Sequence, residues 1–178
     1  MVEHLVIRLE PLSSAHAEEI LHGQDEHLAA EISGRRWDAQ SIAAFLARVE
    51  RWRADGPLRE YAACDGSRLV GGAGAALLGA GLHHGQAALT YWVLAAYRGR
   101  GYGHLIATQV AQLTAADPRV QELVLRIDAE NRPSQAVARR LGAQRTGRWA
   151  RHPGDHTRRV EVWTLPAQEV VAQLPCSS

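Results

Sequence analysis

Leu5 to Leu9 alternates apolar and polar positions and predicts a first strand, ended by Pro11. Ser13 or Ser14 can cap a helix running to about Gly23, with Glu18 and Glu19 near its positive end. A second short helix is predicted from Asp25 to Ile32, closed by Gly34. Asp38 caps a third, from Ala39 to Ala54, on which Ile42, Phe45, Leu46, Val49 and Trp52 fall at helical spacing; Asp55-Gly56-Pro57 stops it. The period then shortens. Arg59 to Cys64, a turn at Asp65-Gly66, and Arg68 to Leu78 read as a hairpin, followed by a loop from Gly79 to Gly85. Gln86 to Leu94 is another strand, with Leu89, Tyr91 and Val93 on one face. Helical spacing returns from Gly101 to Ala116 through Leu105, Ile106, Val110 and Leu113, and Asp117-Pro118 ends it. Leu123 to Ile127 is a short buried strand. Pro133 to Leu141 is a helix closed by Gly142. Ala143 to Trp149 and Arg158 to Leu165 form a last pair around His152-Pro153-Gly154-Asp155.

This order predicts an α/β (α+β) fold in one domain over residues 1–166, with 167–178 as a loosely held tail. The expected sheet is mixed and mostly antiparallel, with about six or seven strands, one parallel pair and about four flanking helices. The 178 residues are 46% hydrophobic and 22% charged, which suits one domain with a real core and excludes a disordered chain. The run from Gly71 to Leu82 is too short and too rich in glycine to span a membrane. Met1-Val2-Glu3-His4 lacks the flank of a secretory signal, so a cytoplasmic location is expected. Cys64 and Cys176 are too far apart for a CxxC site, and Pro153-Gly154 keeps His152 and His156 off a shared helix face; no metal is expected.

Every one of the 20 basic residues is arginine. Residues 1–97 carry eight Arg against twelve acids, whereas residues 98–159 carry twelve Arg against five. The basic half suits an anionic ligand; a solvated arginine surface is the alternative. That half opens on Tyr97-Arg98-Gly99-Arg100-Gly101-Tyr102-Gly103, between a strand and a helix. Glycines at a helix N-terminus let a pyrophosphate approach unpaired N–H groups, and Arg98 and Arg100 add donors. The spacing fits neither a dinucleotide fingerprint nor a P-loop. A plain tight strand-to-helix turn stays as the other reading.

Arg98-x-x-Gly101-x-Gly103 resembles the (Gln/Arg)-x-x-Gly-x-(Gly/Ala) signature of the GNAT N-acetyltransferases. Tyr91-Trp92-Val93-Leu94 before it, Asn131-Arg132-Pro133-Ser134 opening the next helix, and Val137 to Gly142 resemble the branch that contains the ribosomal-protein N-terminal acetyltransferases. The resemblance implies acetyl-CoA as cosubstrate and a parallel strand pair that splays. Backbone around Trp92, Val93 and Leu94 would pair with the pantetheine arm. N–H groups of Gly99, Arg100, Gly101, Tyr102, Gly103 and His104 would cradle the pyrophosphate, Asn131 would bond the pantetheine, and Ser134 would face the sulfur.

Acyl transfer to an amine needs a base for the ammonium, a donor for the developing oxyanion near Val93 or Leu94, and an acid for the leaving thiolate. Ser134 is the candidate acid, because Ala138 stands where many relatives carry a tyrosine. Ala87, Ala88 and Leu89 occupy the stretch where relatives carry a glutamate, so His152, Glu161 and Asp128 are the candidate bases, with water as the alternative. Trp37 and the pair His83-His84 are candidates for the acceptor rim. The acceptor is expected to be a protein N-terminus or a small-molecule amine, met by a monomer or homodimer. The competing readings are a GNAT-fold enzyme using another acyl-CoA or aminoacyl-tRNA, and a CoA-binding module without chemistry.

Overall fold

A computed structural model describes residues 5–172. Its seven strands are β1 (Arg8–Pro11), β2 (Leu58–Asp65), β3 (Arg68–Ala76), β4 (Gln86–Val93), β5 (Glu122–Ile127), β6 (Gln144–Arg151) and β7 (Arg159–Pro166). They form one sheet in the order β1-β2-β3-β4-β5-β7-β6, in which β4 and β5 run parallel and all other neighbours antiparallel. The expected mixed sheet with one parallel pair is what the chain forms.

The helices are α1 (Ala17–Gly23), α2 (Glu26–Ile32), α3 (Ala39–Val49), α4 (Tyr102–Ala115), α5 (Arg132–Leu141) and α6 (Ala167–Ala172). Asp25 caps α2 by accepting from the Leu28 N–H at 2.9 Å, and Asp38 exchanges hydrogen bonds with Ser41 at the start of α3. Two cores lie on opposite faces of the sheet. One gathers Ile106, Val110, Leu123, Leu141 and Trp163 under α4, α5 and α6. The other gathers Ile20, Leu28, Ile42, Leu46, Trp92 and Leu94 under α1, α2 and α3.

Three local expectations change. The helix α3 stops at Val49, because the chain tightens into i→i+3 turns there; Trp52 still packs against the second core. Leu113 is 48% exposed, and the buried stripe of α4 runs instead through Ile106, Ala107, Val110 and Ala111. Residues 167–172, read as tail, form α6, which buries Ala167 and Val170 in the first core. The rest of that stretch, with Cys176, lies outside the described residues.

From Gly71 to Ala76 strand β3, next to the central β4, carries only glycine and alanine. A Cβ on Gly72 would meet the Trp92 ring at 2.4 Å, so glycine there is what lets the indole lie across the strand. No helix among the described residues is long and apolar enough to cross a membrane.

Candidate active site

The parallel ladder ends where Leu89 faces Leu125. Beyond it β4 continues alone on that side, and a cleft opens. The Leu94 N–H donates to Val70 O at 2.9 Å, so by the alternation of an antiparallel ladder Trp92 and Leu94 turn their peptide groups to β3. Tyr91 and Val93 turn theirs to the cleft. This corrects the expected edge: Trp92 and Leu94 are buried in the second core, and the open backbone is that of Tyr91 and the Val93 N–H, the Val93 carbonyl being held by Arg98.

The turn into α4 has the geometry its glycines require. Gly99 and Gly101 hold φ of +73° and +91°, in the left-handed region that side chains disfavour. Backbone N–H groups from Gly99 to Gly103 make no hydrogen bond among the described residues; the His104 N–H is taken by Gly101 O at 3.2 Å. That leaves five amides for a cradle. His104 contributes its ring to the cleft wall, and its Nδ1 is buried without a partner among the described residues. Desolvation first, and Arg140 second, lower its pKa. Arg98 is engaged within the protein rather than reserved for a phosphate. Its two terminal nitrogens grip Asp25 at 2.6 and 2.8 Å and its Nε donates to Val93 O at 3.2 Å, tying the start of α2 to β4. The pairing holds the Asp25 pKa down to about 2. Arg100 is exposed and has no ion-pair partner among the described residues. Tyr102 is buried; its hydroxyl donates to Asp65, and its ring packs edge-on against Tyr97 at 5.9 Å.

Asn131 caps α5: its Oδ1 accepts the Ser134 N–H at 3.1 Å and its Nδ2 donates to Glu31 at 3.2 Å. Its side chain is thus engaged within the protein rather than free for a pantetheine. Ser134 Oγ accepts from the Tyr91 hydroxyl at 3.1 Å, which leaves the serine's own proton to point elsewhere. Burial raises the Tyr91 pKa and keeps that hydroxyl protonated.

The three candidate bases fare poorly. His152 is 3% exposed and reaches the cavity wall, but its Nδ1 accepts the N–H groups of Gly154 and Asp155, both at 3.1 Å. The neutral ring therefore carries its proton on Nε2 and is a donor, and desolvation pushes its pKa down. Glu161 is 8% exposed, bonded to Arg145, and not part of the cavity wall. Asp128 accepts from Arg158 at 2.6 Å and from the Glu130 N–H at 2.9 Å. Trp37 stacks on Phe45 at 5.6 Å away from the cavity, and Leu78, Gly79 and Leu82 form the rim expected of His83 and His84.

A cavity of about 570 Å³ joins the glycine turn to a second, mostly apolar end walled by Leu28, Ile32, Trp52 and Leu58. At that end stands Glu60, which the sequence reading passed over. Its carboxyl accepts no hydrogen bond among the described residues, and desolvation pushes its pKa up to about 8. Glu60, Gly74 and Thr90 are neighbours in register across β2, β3 and β4. A Cβ on Gly74 would lie 2.6 Å from Glu60 Oε1 and 2.8 Å from Thr90 Oγ1, so the glycine leaves a pit between the two oxygens. The signal was present: Leu58, Glu60, Ala62 and Cys64 share one face of β2, and Glu60 is the acid in that apolar stripe.

The profile of the family described as "Acetyltransferase (GNAT) domain" matches residues 7–144. Among curated proteins no sequence matches significantly. Among solved structures, an aminoglycoside acetyltransferase, AAC(6')-Ib with coenzyme A, is 16% identical with a TM-score of 0.77, over 94% of this chain and 99% of its own. Spermidine N-acetyltransferase from Vibrio cholerae, with CoA and spermine, is 11% identical with a TM-score of 0.75, over 93% and 98%. RimJ from Mycobacterium smegmatis, in complex with CoA-disulfide, is 19% identical with a TM-score of 0.70, over 94% and 88%. The ribosomal-protein branch is thus one of several neighbours.

Proposed function

The chain belongs to the GNAT acetyltransferase family, and on that premise we propose that it transfers the acetyl group of acetyl-CoA to a primary amine by direct attack in a ternary complex. The observation that carries this reading is the meeting, in one cleft, of an unpaired strand edge, a glycine turn with free amides and the Ser134–Tyr91 hydroxyl pair. A small-molecule or peptide amine as acceptor and a cytoplasmic setting belong to the same reading.

Each group then has a task. The amides of Gly99 to Gly103, with Arg100, receive the pyrophosphate. The backbone of Tyr91 and Val93 pairs with the pantetheine arm as an added strand would. The Val93 N–H donates to the carbonyl oxygen as negative charge develops there. Glu60 accepts the ammonium proton: its raised pKa matches a base working near neutral pH, and an arriving cation favours its ionised form. Ser134 gives its proton to the leaving sulfur and regains one from Tyr91, which is restored by the second proton the nitrogen sheds as the amide forms. Cys64 is buried at the β1–β2 side and lines no part of the cavity, which supports transfer without an acyl-cysteine.

Coenzyme A binding tests the reading. A ligand that binds only the folded state stabilises it by about 2.7 kcal/mol at 100 times its Kd. A rise in Tm with CoA, and CoA thiol release from acetyl-CoA when an amine is added, are expected. An unchanged Tm at millimolar acetyl-CoA overturns the assignment.

A further inference from the structure

Glu60 is not alone in lacking a countercharge. Arg126, on β5, lines the same cavity. Its one hydrogen bond goes to Ala80 O at 2.5 Å, it has no acidic partner among the described residues, and desolvation lowers its pKa. The register that pairs Leu89 with Leu125 places Arg126 next to Thr90, just where the strands part. Glu60, Gly74, Thr90 and Arg126 thus form one row across the sheet, with a carboxyl group at one end and a guanidinium at the other. The two do not pair with each other. Glu31, the other acid of the wall, is held by Arg158 at 3.0 Å and Asn131 at 3.2 Å. Leu28, Ile32, Trp52 and Leu58 make this end mostly apolar, with His27 also in the wall.

Burial holds Glu60 largely protonated and leaves Arg126 without a countercharge; a ligand that carries both an ammonium and a carboxylate ionises the first and pairs the second together. We infer that the acceptor is a zwitterion with an apolar body, an amino acid or short peptide whose ammonium docks between Glu60 and Thr90 and whose carboxylate meets Arg126. This rests on the acetyl-transfer reading above and narrows its substrate. A polycation is disfavoured, because the wall offers one unpaired acid and, among the described residues, two arginines without ion pairs, Arg126 and Arg140. Two ladder spacings of about 4.8 Å, and the wider gap where β4 and β5 part, separate the ends of the row, and the reach of the two side chains shortens that distance. The chemistry balances: the amine nitrogen bonds the acetyl carbon, the carbon–sulfur bond breaks, one ammonium proton goes to Glu60, the thiolate takes a proton from Ser134, and the second proton shed by the nitrogen as the amide forms restores the Ser134–Tyr91 pair.

The test compares pairs that differ only in the carboxylate: L-phenylalanine against phenethylamine, and L-phenylalanyl-L-leucine against its C-terminal amide, with spermidine and kanamycin as polycations. CoA release is followed at fixed acetyl-CoA. At least one acid is expected to exceed its uncharged partner at least tenfold in kcat/KM and to exceed both polycations. Arg126→Gln is expected to erase that preference through KM while keeping the CoA-dependent rise in Tm, which shows the variant folded. Equal or better turnover of the decarboxylated and amidated partners, better turnover of a polycation, or a preference that survives Arg126→Gln overturns the zwitterion inference and leaves acetyl transfer standing. An absent CoA-dependent shift overturns the acetyl-transfer reading itself, and this inference with it.

Discussion

At the donor end of the cleft, the arginine of the glycine turn that looks most made for a ligand is committed to the protein, Arg98 to Asp25, and the cradle rests on backbone amides with the exposed Arg100 beside them. At the acceptor end, a carboxyl group, Glu60, and a guanidinium, Arg126, stand without ion-pair partners among the described residues. The donor wall offers backbone and hydroxyl groups, whose direction is set by secondary structure. The acceptor wall offers side-chain charge in an apolar setting. The contrast teaches that the first wall is built to hold one fixed partner and the second to choose among partners.

Glu60→Gln should separate the walls most sharply. Losing a general base costs about 10²–10⁴ in rate, so kcat/KM should fall in that range while CoA affinity, by calorimetry, stays constant. The wild-type kcat/KM should rise with pH through about 8, the value to which burial drives Glu60, and the variant should lack that limb. Stability should move oppositely. The folded-state pKa lies above the ordinary 4.5, so the contribution of the protonated group is complete below 4.5 and is lost as pH climbs through about 8. Glu60→Gln should therefore lose less Tm than wild type between pH 5 and pH 9. A matching loss of CoA affinity would merge the two walls into one.

Gly101→Val is the donor-side counterpart. A branched residue at φ +91° is strained by about 1–3 kcal/mol, and the cradle it distorts should lose CoA affinity about tenfold or more, since each 1.4 kcal/mol is a factor of ten. Unchanged affinity in a folded Gly101→Val would place the phosphates elsewhere.

Ser134→Ala and Tyr91→Phe should each lower kcat about tenfold or somewhat more, and the double variant should be little worse than either single one, as expected of one relay. Fully additive losses would break the relay. The smallest effect belongs to Arg98→Ala, where the lost contact is a partly exposed ion pair. A cost of about 1 kcal/mol in stability is expected, with CoA affinity changed less than Tm. The pair's support should be present above pH 3.8 and be lost as pH falls through about 2, the depressed value of Asp25. A large drop in CoA affinity without loss of Tm would return Arg98 to the phosphates.

The same division explains what could be read from the sequence. Donor-side features are local. The glycine turn, the Asn131 cap with Pro133 behind it and the helix spacing of α4 each lie within a few residues, so their patterns survive in one dimension. The Ser134 partner was invisible because Tyr91 is 43 residues away and meets it only across the cleft. Arg98 was misjudged for the same reason, since Asp25 lies 73 residues earlier. The alternation along β2 marks Glu60 as the acid of an apolar face, but its place beside Thr90 comes from lateral register over three strands, which that alternation does not encode. His152 had the right chemistry in the right loop, but its tautomer depends on two backbone amides of its own turn.

The glycine and alanine stretch of β3 bears on how such a chain can diverge. The clearance between Glu60 and Thr90 is set by a missing methyl at position 74, where a single added carbon would intrude on both oxygens. Acceptor preference can thus drift in steps of one methyl group, through substitutions that touch neither the donor turn nor the hydroxyl pair. A lineage built on this sheet could change what it modifies while its use of the donor stays frozen.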